Sequence, residues 1–381
     1  MKDVAAQAGV ALKTVSRVVN GEPGVGPGTL ARVEQAIVEL GYRRNESARQ
    51  LRSGRAGTLA MVVRDIADPF FAAIGRAVEM TAHRDGQVVM IGSTHEDPKR
   101  EREVALAFCA RRPDALILAP IADSQDYLHP EVEAGLPVVA IDRPAHGILA
   151  DTVLSDNVGG IRAAVDHLVG HGHRVIGYLG DDPVVYTARE RVDAFRAALA
   201  RHGIVPDESL IRLAAPTPEG IARSLGELLG AGPGAAGAVP GAGPGVPGAL
   251  HGTGHGSAAL SGAGLASGEP TGPMSGAGTE APAGVAPVPA GPVTALLTAN
   301  NRITAEVLRQ LPGMPHRPAL IGFDDLELAD LITPGLTVIA QDAEGIGRAA
   351  MELLDTRLAD PRLPAREVRI PTRLIVRGSA E

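Results

Sequence analysis

The stretch DVAAQAGVALKTVSRVVNG, residues 3–21, decides how the chain is read. Val4 and Ala8 form one apolar stripe and Val15, Val18 and Val19 a second, at spacings of three and four that predict two short helices with Gly9 in the break. The same spacing recurs at Leu30, Val33, Ile37 and Leu40, after the turn-rich GEPGVGPG of residues 21–28. Gly41 ends this third helix where a C-terminal glycine is usual. So short a segment has little core of its own, which implies a compact helical unit tethered to something larger.

A helix over 12–20 turns its valines inward and leaves Leu12, Lys13, Ser16, Arg17 and Asn20 on the outer face. Such a face suits a helix-turn-helix, whose second helix enters the major groove and meets bases near its N-terminus. Arginine bidentate to guanine is the commonest specific contact there, so Arg17 is the candidate base reader. Spacing alone favours an ordinary solvated helix face over a base-reading one.

Charge separates this piece from the remainder. The formal net charge is -8, yet residues 1–55 hold nine basic and five acidic side chains, which leaves +4 here and -12 in the rest. That asymmetry is expected if only the N-terminal piece meets a polyanion. At 381 residues and 45% hydrophobic, the chain has room for two or three domains with a sizeable core. Its single cysteine, Cys109 in ALAFCARR, excludes an internal disulfide framework and a multi-cysteine zinc site and reads as core filler. No basic-then-apolar signal and no run of about 18 apolar residues is present, so a cytoplasmic location is expected.

From residue 57 short β-rich runs alternate with amphipathic stretches: TLAMVV, FFAAIGRAVEMTAHR, QVVMIG, DALILA, LPVVAI, RVIGYLG, and later VTALLTA, PALIGF and LTVIA. Parallel strands with crossover helices produce this pattern, at about twice the strand number of one doubly wound sheet. Two similar α/β lobes are therefore expected. Between their repeats, residues 231–292 carry 18 of the 47 glycines and 10 of the 30 prolines, with only Glu269 and Glu280 charged. This composition reads as a disordered spacer without a phosphate loop, because no strand leads into it. His251 and His255, like His167, His171 and His173, give only a faint metal signal, and no metal or other cofactor is expected.

DVAAQAGVALKTVSRVVNG and VEQAIVELGYRRNESARQLRSGRAGTLAMVV resemble the headpiece and hinge of the lactose-repressor and galactose-repressor (LacI/GalR) family of bacterial transcription regulators. The resemblance continues through DPFF at 68–71, AIDRP at 140–144, GHRVIGYLG at 172–180, TANN at 298–301, IGFDD at 321–325, AQD at 340–342 and IPTRLIVRGS. It implies an all-α helix-turn-helix headpiece over 1–44, a hinge helix and linker over 45–56, and a periplasmic-binding-protein-like α/β core of two doubly wound lobes. The lobes fall at 57–155 plus 343–366 and at 156–342 plus 367–381, with 231–292 inserted in the second.

By that resemblance Leu12 and Lys13 are operator-discriminating residues and Arg17 contacts a base, while Thr14, Ser16 and Asn20 meet phosphates or bases. Asn45, Ala48 and Leu51 belong to the hinge, where Leu51 matches a minor-groove wedge. Effector contacts fall on Phe70, Phe71, Asp142, Arg143, Arg191, Asn300, Asp324 and Gln341, a set suited to a polyhydroxylated ligand in a cleft between the lobes.

Ala11 stands where the family has a capping serine, and loss of such a cap costs roughly 0.5 to 2 kcal/mol. The implied partners are double-stranded operator DNA, a carbohydrate effector and a second copy of the chain, with no membrane and no catalysis. A solute-binding protein would share the lobes but lack the headpiece. An enzyme would need a nucleophile and base, a metal set or a cofactor fingerprint after the first strand, and TLAMVVRDIADPF offers none.

Overall fold

A computed structural model describes residues 1–19, 21–42, 56–213, 217–230 and 291–381. The chain opens with three helices, α1 (Lys2–Ala8), α2 (Leu12–Val19) and α3 (Pro27–Glu39). Val4, Ala5, Ala8, Val15, Val33 and Ala36 form their core. Gly9 closes α1 in the left-handed conformation at φ 63°, where its N–H reaches back to the last turn. Two of the expected apolar positions differ. Leu30 and Leu40 are 37% and 42% exposed, while the smaller Ala36 is buried. Leu40 follows the last residue of α3, so helical spacing no longer governs where it points.

The next elements alternate strand and helix: β1 (Thr58–Val63), α4 (Pro69–Arg84), β2 (Val88–Ser93), α5 (Pro98–Cys109), β3 (Ala115–Leu118), α6 (His129–Glu133), β4 (Val138–Ile141) and β5 (Asp151–Ser155). The second unit runs α7 (Asn157–Gly170), β6 (Ile176–Gly180), α8 (Tyr186–Arg201), β7 (Ile211–Leu213), α9 (Pro218–Leu229), β8 (Ala295–Thr298), α10 (Asn301–Gln310), β9 (Ala319–Phe323) and β10 (Thr337–Ala340). Then α11 (Ala343–Ala359) and β11 (Glu367–Ile370) return to the first unit, and β12 (Arg373–Ile375) ends in the second. The chain thus passes between units at residues 155–156, 341–342 and 370–371.

The first sheet has the order β2-β1-β3-β4-β5-β11, with all pairs parallel. The second repeats it as β7-β6-β8-β9-β10-β12, and only its edge strand β12 is antiparallel. Central strands such as ALIL, VVAI and ALLT are buried along their whole length, as strands covered on both faces must be. Residues 367–370, expected in the second lobe, instead pair with β5 in the first sheet.

Packing in the first unit depends on one close helix approach: a Cβ added to Gly347 of α11 would meet Ala77 Cβ at 2.8 Å and Ile74 O at 2.9 Å on α4. Cys109 is buried, and burial, aided by the Glu131 charge, raises its thiol to about 11. Among the described residues no helix is long and apolar enough to cross a membrane, and no group of three or more His, Cys, Asp or Glu could hold a metal ion.

Candidate nucleic-acid interface and effector sites

On α2 only Val15 is fully buried, and Val18 and Val19 pack at the edge of the core. The opposite face exposes Leu12, Lys13 and Arg17, with Thr14 and Ser16 half-buried beside them. Arg17 Nε lies 4.0 Å from Glu22 Oε2 with both side chains about half exposed, a contact that solvent weakens. Ala11 precedes the helix and accepts from the N–H groups of Thr14 and Val15 through its carbonyl, but has no side-chain oxygen to cap them. Asn20, Asn45, Ala48 and Leu51, like residues 231–290 of the insert, lie outside the described residues.

Of the remaining expected contacts, Asp142, Arg143, Asn300, Asp324 and Gln341 sit just beyond strand carboxyl ends, where open α/β sheets of this strand order bind ligands, while Phe70 and Phe71 lie in the first turn of α4 and Arg191 in the second turn of α8. In the first unit Asp68 caps α4 by accepting from Phe70 N at 3.0 Å, ahead of Pro69 in the first turn. That turn sets Phe70 and Phe71 edge to face with ring centres 5.1 Å apart. Phe71 is a core residue at 3% exposure, under the Arg64 guanidinium at 5.6 Å, and Phe70 is half-buried. Past β4, Asp142 adopts φ 65°, rare for a residue with a Cβ, and its N–H donates to Val153 O at 3.0 Å. Arg143 donates to both carboxylate oxygens of Glu96, at 2.9 and 3.2 Å.

The second unit repeats the turn. Asp324, past β9, adopts φ 74° and its N–H donates to Ile339 O at 2.9 Å. Its carboxylate accepts from Gln341 Nε2 and from Asn301 N, so two residues expected at the ligand, Asp324 and Gln341, touch each other. Arg191 on α8 is 5% exposed, stacks 3.7 Å from the Phe323 ring centre, and donates to Asn157 Oδ1 at 2.8 Å and Ala299 O at 2.6 Å. Both acceptors are neutral, so the surface ion pair that a helix arginine usually forms does not apply here. Asn300 is the N-cap of α10, accepting from Ile303 N at 2.9 Å, while its amide donates to Asp181 at 3.1 Å. Those bonds occupy a side chain expected to serve a ligand.

Three family descriptions match the chain: "Bacterial regulatory proteins, lacI family" over residues 1–45, "Periplasmic binding proteins and sugar binding domain of LacI family" over 56–244, and "Periplasmic binding protein-like domain" over 258–380. The HTH-type transcriptional regulator GalS of Salmonella typhimurium is 35% identical over 230 residues, 60% of this chain and 68% of GalS. PtxS, an HTH-type transcriptional regulator of Pseudomonas plecoglossicida, is 30% identical over 386 residues, 100% of this chain and 95% of PtxS. The chain belongs to the LacI/GalR family.

The crystal structure of the lac repressor dimer bound to operator and the anti-inducer ONPF superposes with a TM-score of 0.72, covering 99% of this chain and 98% of that one. At 22% identity, that likeness establishes the fold. As a LacI/GalR member the chain is a DNA-binding transcriptional regulator with an effector-binding, periplasmic-binding-protein-like region, and the family is not enzymatic. Sequence reasoning passed over Glu96 and Asn157, each hydrogen-bonded to an expected contact, and Arg64, which lies over the Phe71 ring. Asp68-Pro69 and Asp97-Pro98 gave the available signal, since an aspartate before proline marks a helix start just past a strand.

Proposed function

We propose that this regulator is a repressor that acts as a cytoplasmic homodimer and whose operator affinity is set by a carbohydrate effector. The observation that carries the DNA half is α2: its buried side is valine alone, while Lys13 and Arg17 stand exposed beside Leu12 on one face. Arg17 is proposed to read a guanine edge, Leu12 and Lys13 to discriminate neighbouring bases, and Thr14, Ser16 and Asn20 to position the helix on phosphates and bases. Asn45, Ala48 and Leu51 are assigned to the hinge, and Leu51 to a minor-groove wedge.

For the effector, Asp142, Arg143, Asp324 and Gln341 at strand carboxyl ends, with Arg191 on α8, supply carboxylate, guanidinium and carboxamide groups, and Phe70 offers an aromatic face. Such groups pair with adjacent hydroxyls, and the family description of a sugar-binding domain supports the same reading. Asn300 is assigned a supporting place through Asp181, and Phe71 one beneath Phe70.

The test is sequencing of genomic DNA fragments bound by the purified protein, repeated with Arg17→Ala and with a panel of sugars. A near-palindromic site that is lost in the variant and shifted by one sugar is the expected result. Fragments bound without sequence preference, and unaffected by the substitution, would refute the reading.

A further inference from the structure

Resting on the carbohydrate reading, we propose that Glu96 sets the charge class of the effector: an uncharged polyhydroxylated molecule, not a sugar acid or a sugar phosphate. Near the carboxyl ends of β1, β2 and β4, five ionic side chains alternate in sign in the order Asp68, Arg64, Glu96, Arg143, Asp142. Arg64 pairs with Asp68, and its Nε lies 3.6 Å from Glu96 Oε1. Arg143 holds Glu96 by two hydrogen bonds at 2.9 and 3.2 Å, and its Nε is 3.5 Å from Asp142 Oδ2. Glu96 is the middle member, shared by both guanidiniums, and three carboxylates against two cations leave this row at -1.

A guanidinium fork is the residue chemistry best matched to carboxylate and phosphate. Here the fork of Arg143 is already filled, and its side chain is only 11% exposed. An anionic ligand has to expel Glu96, whose side chain is 35% exposed, or settle beside three carboxylates, of which Asp68 and Asp142 are largely covered so that water screens their charge less. A hydroxyl faces no such conflict, because it donates to a carboxylate oxygen and accepts from an N–H at the same time.

The position of Glu96 is imposed by its surroundings. It adopts φ 60° directly after His95 at φ 56°, two successive non-glycine residues in a region that side chains disfavour. The backbone is pinned there by His95 N to Arg64 O at 2.8 Å and by Asp97, whose side chain caps α5. Next to them Thr94 is fully buried, and its hydroxyl has no hydrogen-bond partner among the described residues, which adds uncharged hydrogen-bonding capacity to the same turn.

The experiment is titration calorimetry of the full chain at low salt with matched sets: galactose, galacturonate and galactose 1-phosphate, with the corresponding glucose and ribose sets. The unmodified protein is expected to bind the neutral member of one set at least about tenfold more tightly than its acid or phosphate. Glu96→Gln is expected to shrink or invert that ratio, and Glu96→Asp, which keeps the charge, to preserve its direction. An acid or phosphate that binds the unmodified protein more tightly than its neutral counterpart overturns the assignment while leaving the carbohydrate reading intact. So does a ratio that Glu96→Gln leaves unchanged. Binding by no member of any set overturns the carbohydrate reading and this assignment with it. Should Glu96→Gln fail to fold, the ratio in the unmodified protein decides.

Discussion

Replacing Arg357 by methionine tests the most completely buried ion pair among the described residues of the first unit. Arg357, near the end of α11, is 4% exposed, and its Nε and Nη2 donate to the two oxygens of Asp151 at 2.7 and 2.9 Å. Its remaining N–H groups reach Leu363 O at 2.9 Å, Pro364 O at 3.2 Å and Pro361 O at 3.4 Å. Asp151 opens β5 with no exposed surface and also accepts from Arg366 N at 2.8 Å. Burial pushes its carboxyl up, but the hydrogen bonds from Arg357 and Arg366 N, with the charges of both arginines, hold it below the usual carboxylate range.

Arg357→Met keeps the stem and removes five hydrogen bonds, leaving a buried carboxylate with one N–H and the Arg366 guanidinium 3.9 Å away. Loss of one partner from a buried pair costs about 3 to 5 kcal/mol. For a unit of this size that corresponds to a melting temperature lower by about 6 to 20 °C. The pH dependence has a definite sign. In the unmodified chain the depressed carboxyl contributes stability above about pH 4, and that stability is lost as the pH falls through the native value. In the variant only Arg366 still opposes burial, so the penalty applies while Asp151 is charged, and the deficit shrinks as acidification protonates it. Thermal unfolding followed by circular dichroism at neutral and acid pH measures both. A loss under about 1 kcal/mol at pH 7, or a deficit that does not shrink on acidification, would refute this account of a desolvated ion pair. Adding Asp151→Leu should restore most of the lost stability.

Glu22→Gln frees Arg17 from an exposed 4.0 Å contact and removes a negative charge near the phosphates, so operator affinity should rise by less than about tenfold, read by fluorescence anisotropy at fixed salt. Arg191→Met keeps an apolar stem over Phe323 but deletes the bonds to Asn157 and Ala299, and should weaken effector binding at least about tenfold in calorimetry while operator binding without effector persists. Cys109, buried with its thiol pushed up to about 11, should stay unmodified by a thiol reagent at pH 8 until denaturant is added.

The long buried strands and the amphipathic helices were legible because their periodicity survives without knowledge of neighbours. TLAMVV and ALIL read as strands, and both are buried along the sheet. β5, DTVLS, is not among the runs that read as strands: it begins with Asp151, which becomes tolerable in a buried strand only when Arg357, 206 residues away, folds against it. β11 and β12 are short, half-exposed edge strands whose neighbours are chosen by topology and not by composition. The candidate contacts at Asp142 and Asp324 came from motif resemblance. Their shared left-handed backbone and matching N–H bonds to the next strand, by contrast, are visible only in the folded sheets.

By itself the sequence determined the short N-terminal helices and the two α/β repeats, because helical and strand periods and turn residues are properties of neighbouring positions, while the candidate groups at the effector site came from the motif resemblance. Tertiary structure decided which of those groups are already engaged. Glu96 fills the fork of Arg143, Asn300 caps a helix and reaches Asp181, and Phe71 sinks into the core while Phe70 stays half-buried. Each of these outcomes depends on a partner from another strand or helix turn. Hydrogen bonds and burial act over a few ångströms of space, whatever the distance along the chain.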